Sequence, residues 1–229
     1  MSLGARGPDA SSDVETSTRF GAQIANRPGR RVRAGALVYS RGEGARSVYI
    51  LRSGLVKTAL LAPTGESVTV RVHRPGEIFG ELCLCADERT DRATALEASE
   101  VVELPLPIFL AQLQRDPKAA LEFATSVCER LAESYEQLLS TSVDTVLGRL
   151  GRTLLALAHA GATAGQDDGA IPRAITQDEL AHMIGARREV VSSLLNRLRD
   201  AQVIRYDRRL PMHVDRDALE RFLRSAERE

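Results

Sequence analysis

The stretch Thr176–Leu198, TQDELAHMIGARREVVSSLLNRL, decides how the chain is read. It reads as two short helices joined by a tight turn. Thr176 can cap the first helix, and Glu179 stands three residues later, where a capping box wants a carboxylate. Leu180 and Ile184 are one turn apart and form its buried side. Gly185 then supplies the left-handed backbone position that ends it. The spacing predicts a second helix with Val190, Leu194 and Leu198 turned inward at i, i+4, i+8. Its other side carries Arg188, Glu189, Ser192, Ser193 and Asn196. A helix that buries one stripe and offers a polar, partly cationic one suits the DNA major groove, whose base edges display a readable donor and acceptor pattern. Many packed helical domains share this spacing without touching DNA, so the spacing alone does not decide.

Two neighbouring features favour DNA. Val203–Tyr206, Asp207–Arg209 and Leu210–Val214 read as a β-hairpin placed as a wing would be. From Arg187 to Arg209 there are seven arginines against three acids, in a chain whose formal net charge is zero. Such a local excess fits phosphate contact. The candidate DNA-binding set is Thr176, Gln177, Arg187, Arg188, Glu189, Ser192, Ser193, Asn196, Arg208 and Arg209.

The chain has 229 residues, enough for one large or two modest domains, and its 43% hydrophobic and 27% charged residues are ordinary for a soluble globular protein. It has no apolar run of transmembrane length and no hydrophobic signal core, so no membrane role is expected. Cys83, Cys85 and Cys128 form neither a disulfide framework nor a CxxC zinc pattern, which points to a reducing cytoplasm. Residues 1–28 are rich in Gly, Ala, Ser, Thr and Asp and read as a flexible tail, with a short helix near Phe20–Ile24.

From Arg30 to Leu106 short β runs alternate with turn residues. Leu37–Tyr39, Val48–Leu51, Leu55–Leu61 and Ser67–His73 are separated by Arg41–Gly44, Arg52–Gly54, Pro63–Glu66 and Arg74–Glu77. Close, regular spacing argues for an antiparallel sandwich or jelly roll. Here YSRGEGARSVYILRSGLVKTAL (39–60), HRPGEIFGELCL (73–84) and RTDRATALEASEVVEL (89–104) resemble the cyclic-nucleotide-binding β-roll of the CRP/FNR (cyclic-AMP receptor protein) family. The helix–turn–helix matches the same family in the expected place, so the resemblance covers roughly residues 30–220. It implies an α+β fold: a flexible tail (1–28), an effector β-roll (29–115), a long dimerisation helix (116–144) and a winged helix–turn–helix (145–229).

Asp116-Pro117 is a good helix start. Beyond it Leu121, Ala124, Cys128, Leu131, Tyr135, Leu138 and Ser142 recur at alternating spacings of three and four, a heptad seam. A helix packed on its own β-roll would also show an apolar stripe. The resemblance implies a parallel homodimer, whose two recognition helices would read an inverted repeat in double-stranded DNA. RNA polymerase is then a partner if the protein activates. Ser140–Thr145 is the expected hinge, Val146–Ala160 the next helix, and Gly161–Gly169 a loop.

Residue by residue, the resemblance places Gly80, Glu81 and Leu82 on the short segment that cradles a cyclic phosphate, with Glu81 accepting from the ribose 2′-hydroxyl. It places Arg89 and Thr90 on the pair that holds the phosphate, and Ser134 and Tyr135 on the two purine-facing positions of the central helix. Cyclic AMP or cyclic GMP is the effector it implies. The loop from Leu82 to Arg89 is shorter than in cyclic-AMP binders, Asp87, Glu88 and Asp91 crowd Arg89 with negative charge, and Tyr135 is bulky. A solvated Arg89 paired with Asp91 is the structural alternative.

Three other readings stay open. The effector could be something else, or there could be none. The cysteines, with His73 assisting, could sense oxidants or ligate a metal or haem, although the tail lacks cysteine ligands for an iron–sulfur cluster. Jelly rolls also house metal enzymes, but those need clustered ligands, and the four histidines (73, 159, 182, 213) are scattered. No Walker loop, nucleophile elbow or HExxH occurs, so no enzyme and no catalytic or metal residues are expected.

Overall fold

The computed structural model describes residues 27–61, 67–162, 169–206 and 211–226. Nearly all of the expected tail, the Pro63–Glu66 turn, most of the 161–169 loop and the tip of the wing, with Arg208 and Arg209, lie outside these residues. The described chain forms two compact units. One holds the residues up to Leu60 with Arg71–Arg130, and the other holds Leu61–Val70 with the residues from Leu131 onward.

Two four-stranded sheets lie mostly within the first unit. One has the order β1-β8-β3-β6: β1 (Arg30–Val32), β3 (Ser47–Ser53), β6 (Ile78–Phe79) and β8 (Ser99–Pro105). The other has the order β2-β7-β4-β5: β2 (Leu37–Tyr39), β4 (Val56–Leu61), β5 (Ser67–His73) and β7 (Arg92–Ala95). Strand β3 explains the layering. Because side chains alternate along a strand, Val48 and Ile50 join Phe109 and Phe123 in one buried cluster, while Tyr49 and Leu51 join Tyr39 and Phe79 in another. Phe109 lies on α1 (Leu106–Arg115) and Phe123 on α2 (Pro117–Val143), and their rings meet edge to face at 5.0 Å. Asp116 caps α2 as expected, its Oδ1 accepting from the amides of Lys118 and Ala119 at 3.1 Å.

The second unit contains α3 (Val146–Ala162), α4 (Gln177–Ile184), α5 (Arg188–Asp200), a two-stranded ribbon of β9 (Ile204–Arg205) and β10 (His213–Val214), and α6 (Arg216–Ala226). Leu150, Leu154, Leu180, Leu195, Leu198 and Leu219 are fully buried. Gly151 allows α3 and α6 to approach closely, since a Cβ there would meet Leu223 Cδ1 at 2.5 Å.

Two expectations are corrected. Helix α2 runs through Ser140 to Val143, so only Asp144 and Thr145 separate it from α3, rather than the whole Ser140–Thr145 segment. Serine and threonine lower helix propensity only slightly, and a helix already propagating absorbs that cost. The inward stripe of α5 is Val191, Leu195 and Leu198, not Val190, Leu194 and Leu198. Val190 is 40% exposed and Leu194 only half-buried.

An acid-sensitive contact lies at the end of β5. Glu77 Oε2 stands 3.4 Å from His73 Nδ1 and 3.5 Å from Arg71 Nε. Burial alone would raise this carboxyl, but His73 and the Arg71 charge outweigh it and hold it down to about 2, against an ordinary 4.5. A carboxyl depressed in the folded state stabilises it above the unfolded value. That contribution is lost as the pH falls from about 4.5 towards 2. Thermal melts of Glu77→Gln should therefore fall below wild type at neutral pH and converge with it at about pH 2. Parallel curves down to that pH would contradict the assignment.

Candidate DNA interface and effector cradle

The helix–turn–helix is local chemistry realised in three dimensions. Thr176 Oγ1 accepts from the Glu179 amide at 3.2 Å. Leu180, Ala181 and Ile184 are buried, and Gly185 closes α4 at φ 61°, with the Ala186 amide donating to Ala181 O at 3.1 Å. Helix α5 then begins at Arg188. Arg188, Glu189, Ser193 and Asn196 are exposed and Ser192 is half-buried, so the polar face survives the corrected register. Arg187 and Thr176 are exposed and Gln177 is half-buried. Arg188 Nη1 lies 3.4 Å from Asp178 Oδ2 with both side chains more than half exposed. Such a surface pair holds its arginine weakly and leaves it available to another acceptor.

Behind the interface, Arg149 was not singled out by its sequence. Its Nε donates to Ile184 O at 3.0 Å and its Nη1 to Asp144 O at 3.0 Å, tying the end of α4 to the residues that precede α3. Asp144 also pairs with Arg152. In the wing, Arg205 pairs with His213 and Ile204 with Val214 across the ribbon. The Arg199 guanidinium stands over the Tyr206 ring at 5.5 Å.

The expected effector residues are only partly brought together. Gly80 takes a left-handed φ of 76° and opens a 3-10 helix, Glu81–Leu84. Arg89 is not a solvated loop residue; it is 4% exposed. Its Nη1 donates to Gly80 O at 2.7 Å and its Nη2 to Ser47 O at 2.5 Å. Its guanidinium stacks over Tyr39 at 4.2 Å from the ring centroid and lies 5.3 Å from that of Tyr49. Asp91 is also buried, and its Oδ2 accepts from Tyr39 Oη at 3.0 Å. Burial raises the Asp91 carboxyl, partly opposed by that hydrogen bond. Glu81 is engaged as well: Arg130 Nη1 donates to its Oε1 at 2.6 Å and to Ile78 O at 3.1 Å. Leu82 and Thr90 are exposed. Ser134 (half-buried) and Tyr135 (62% exposed) lie on the part of α2 that belongs to the other unit.

Arg130 was missed, although its spacing gave a signal. Ala119, Phe123, Ser126 and Arg130 trace one side of α2, and Arg130 Nη2 reaches Ser126 Oγ at 3.3 Å. The other side carries the expected seam. Leu121 is 69% exposed, Leu131 49% and Leu138 66%, with Ala124 and Cys128 also exposed. Of the remaining thiols, Cys85 is exposed, whereas Cys83 is buried in the core and burial pushes its thiol up, away from the reactive thiolate. Among the described residues no group of three or more His, Cys, Asp or Glu could hold a metal, and no helix is long and apolar enough to cross a membrane.

The residues present do not fit a cyclic phosphate as they stand. Both terminal nitrogens of the arginine that would neutralise it are bonded to carbonyl oxygens, and a carboxylate is buried beside it.

A β-roll, a long helix and a winged helix–turn–helix, in that chain order, define a regulator with a sensory part and a DNA-binding part. Residues 29–116 match the cyclic nucleotide-binding domain and residues 148–222 the Crp-like helix-turn-helix domain. The transcriptional regulator LdrP of Thermus thermophilus is 33% identical over 189 residues, 82% of this chain and 93% of its own length. The cyclic AMP receptor protein of the same organism is 30% identical over 172 residues, 75% and 76% of the two chains. A solved structure of a CRP-family transcriptional regulator from Thermus thermophilus superposes with a TM-score of 0.68 at 27% identity, over 84% of this chain and 95% of that one. This chain belongs to the CRP/FNR family of transcription regulators, whose members regulate transcription rather than catalyse reactions.

Proposed function

We propose that this protein works as a homodimer that binds an inverted repeat in double-stranded DNA from the cytoplasm, with residues 116–144 as the dimerisation helix between a 29–115 β-roll and a 145–229 DNA-binding domain. The observation that carries the reading is α5, which buries Val191, Leu195 and Leu198 and leaves Arg188, Glu189, Ser193 and Asn196 open to a groove. Arg188 can make a bidentate contact to guanine, and Glu189 can accept from cytosine N4. Ser192 and Ser193 occupy the next turn. Thr176, Gln177, Arg187, Arg208 and Arg209 are assigned to phosphates and the approach to the groove. If the protein activates transcription, RNA polymerase is its further partner.

Cyclic AMP or cyclic GMP is the effector that the family domain supports, and a relative is named a cyclic AMP receptor protein. The engaged Arg89 weighs against both. Arg188→Ala should weaken binding to the specific site by about 1–3 kcal/mol while leaving random DNA nearly unaffected. Fluorescence anisotropy on both duplexes measures the difference, and equal weakening on the two would remove Arg188 from base reading.

A further inference from the structure

We propose that the cradle of this β-roll is closed by the protein's own side chains, so that it excludes cyclic nucleotides and the regulator binds DNA without them. This rests on the regulator reading above and concerns the control of the same protein.

The cradle is filled where a phosphate would have to sit. A Cβ added to Gly80 would fall 2.9 Å from Arg89 Nη1, 3.2 Å from the Tyr49 ring and 3.3 Å from the Tyr39 ring. The backbone of the segment therefore faces packed atoms. Those rings belong to a continuous stack in which Tyr39 meets Tyr49 at 5.4 Å, Tyr49 meets Phe79 at 5.5 Å and Phe79 meets His73 at 5.1 Å. The guanidinium lies on this stack as a core component.

The loop that carries Arg89 is also fixed along its backbone. The Arg89 amide donates to Glu43 O at 2.8 Å, its carbonyl accepts from the Gly42 amide at 2.9 Å, and the Ala45 amide donates to Asp87 O at 2.8 Å. With the loop backbone held in place, the arginine could meet a ligand only by giving up its own two side-chain bonds.

The charges are already balanced. Arg89 and Arg130 are matched by Asp91 and Glu81, the last two held by Tyr39 Oη and Arg130 Nη1. A phosphate entering this set would meet a buried carboxylate at low dielectric and strand the Gly80 and Ser47 carbonyls. Asp91 thus stands as a resident anion. Glu81, the residue expected to accept from a ribose, is held by Arg130 instead.

The test uses the full-length, reduced protein in two arms. Calorimetric titration with cyclic AMP and with cyclic GMP should show no binding up to millimolar ligand. Anisotropy on an inverted-repeat duplex selected from a random pool should give the same affinity with and without either nucleotide. Micromolar binding of either nucleotide, or a tenfold gain in DNA affinity on adding one, overturns the closed cradle and leaves the regulator reading standing. If no selected duplex binds under any condition, the regulator reading fails, and the calorimetric arm alone decides the cradle. A second variant reads the strut directly. Arg89→Lys cannot bridge both carbonyls while lying on Tyr39, so its thermal midpoint should drop by several degrees. An unchanged midpoint would mean the arginine is held in reserve for a ligand, against the proposal.

Discussion

Replacing Leu131 and Leu138 together by glutamate should halve the mass of the particle in solution and weaken binding to an inverted repeat by about 10²–10⁴-fold. Both side chains project from α2 into solvent in the single chain, at 49% and 66% exposure. Leu121 and Tyr135 continue the same stripe at 69% and 62%. An apolar seam this open on one helix face calls for a second helix, because a heptad stripe is stable when each side chain inserts between those of a partner. Two glutamates per chain would bring four like charges into that seam, where low dielectric makes repulsion severe. The single-chain core should be spared. Ala119 and Phe123, on the opposite side of α2, are the helix's contribution to the β-roll core. A dimer binds its second half-site at a high effective concentration, so losing the partner costs far more than any one base contact. Light scattering after gel filtration reads the mass, and anisotropy reads the affinity. A double variant that remains dimeric would remove the seam from the interface.

The parts of this molecule that were legible in its sequence are those fixed by neighbours. Thr176, Gly185 and Asp116 act through atoms two to four residues away, and each does what its residue type requires. The strands β2 and β5 fall at Leu37–Tyr39 and Ser67–His73 because turn residues bracket them. Arg89 is different in kind. Its partner carbonyl on Ser47 is 42 residues away, and the ring beneath it comes from β2. Spacing can say that an arginine stands in a loop; it cannot say whether that arginine faces solvent, a ligand or the core. The three acids around it gave the one usable hint, and one of them, Asp91, proved to be buried. Helix α6 carries a local signal too. In RDALERFLRSA, Leu219, Phe222 and Leu223 recur at helical spacing, and Leu219 is fully buried.

The register of α5 was ambiguous for a reason that a pair of substitutions can expose. Val190-Val191 and Leu194-Leu195 are consecutive apolar pairs, so two stripes with an i, i+4 spacing are available, and Leu198 serves either. Packing against α4 selects Val191 and Leu195, both fully buried. Leu195→Ala should cost about 2–5 kcal/mol, as expected for a cavity at a closed core site. Leu194→Ala, at a half-buried site, should cost less than half as much. Urea unfolding followed by circular dichroism measures both, provided the slopes match wild type. The comparison bears on function as well as stability, because the buried stripe sets which side chains face the groove. With Val191, Leu195 and Leu198 inward, the opposite arc centres on Glu189, Ser193 and Asn196, and Arg188 is exposed as the first residue of the helix. A larger loss at Leu194 than at Leu195 would turn that arc towards Arg188 and Ser192 and away from Ser193.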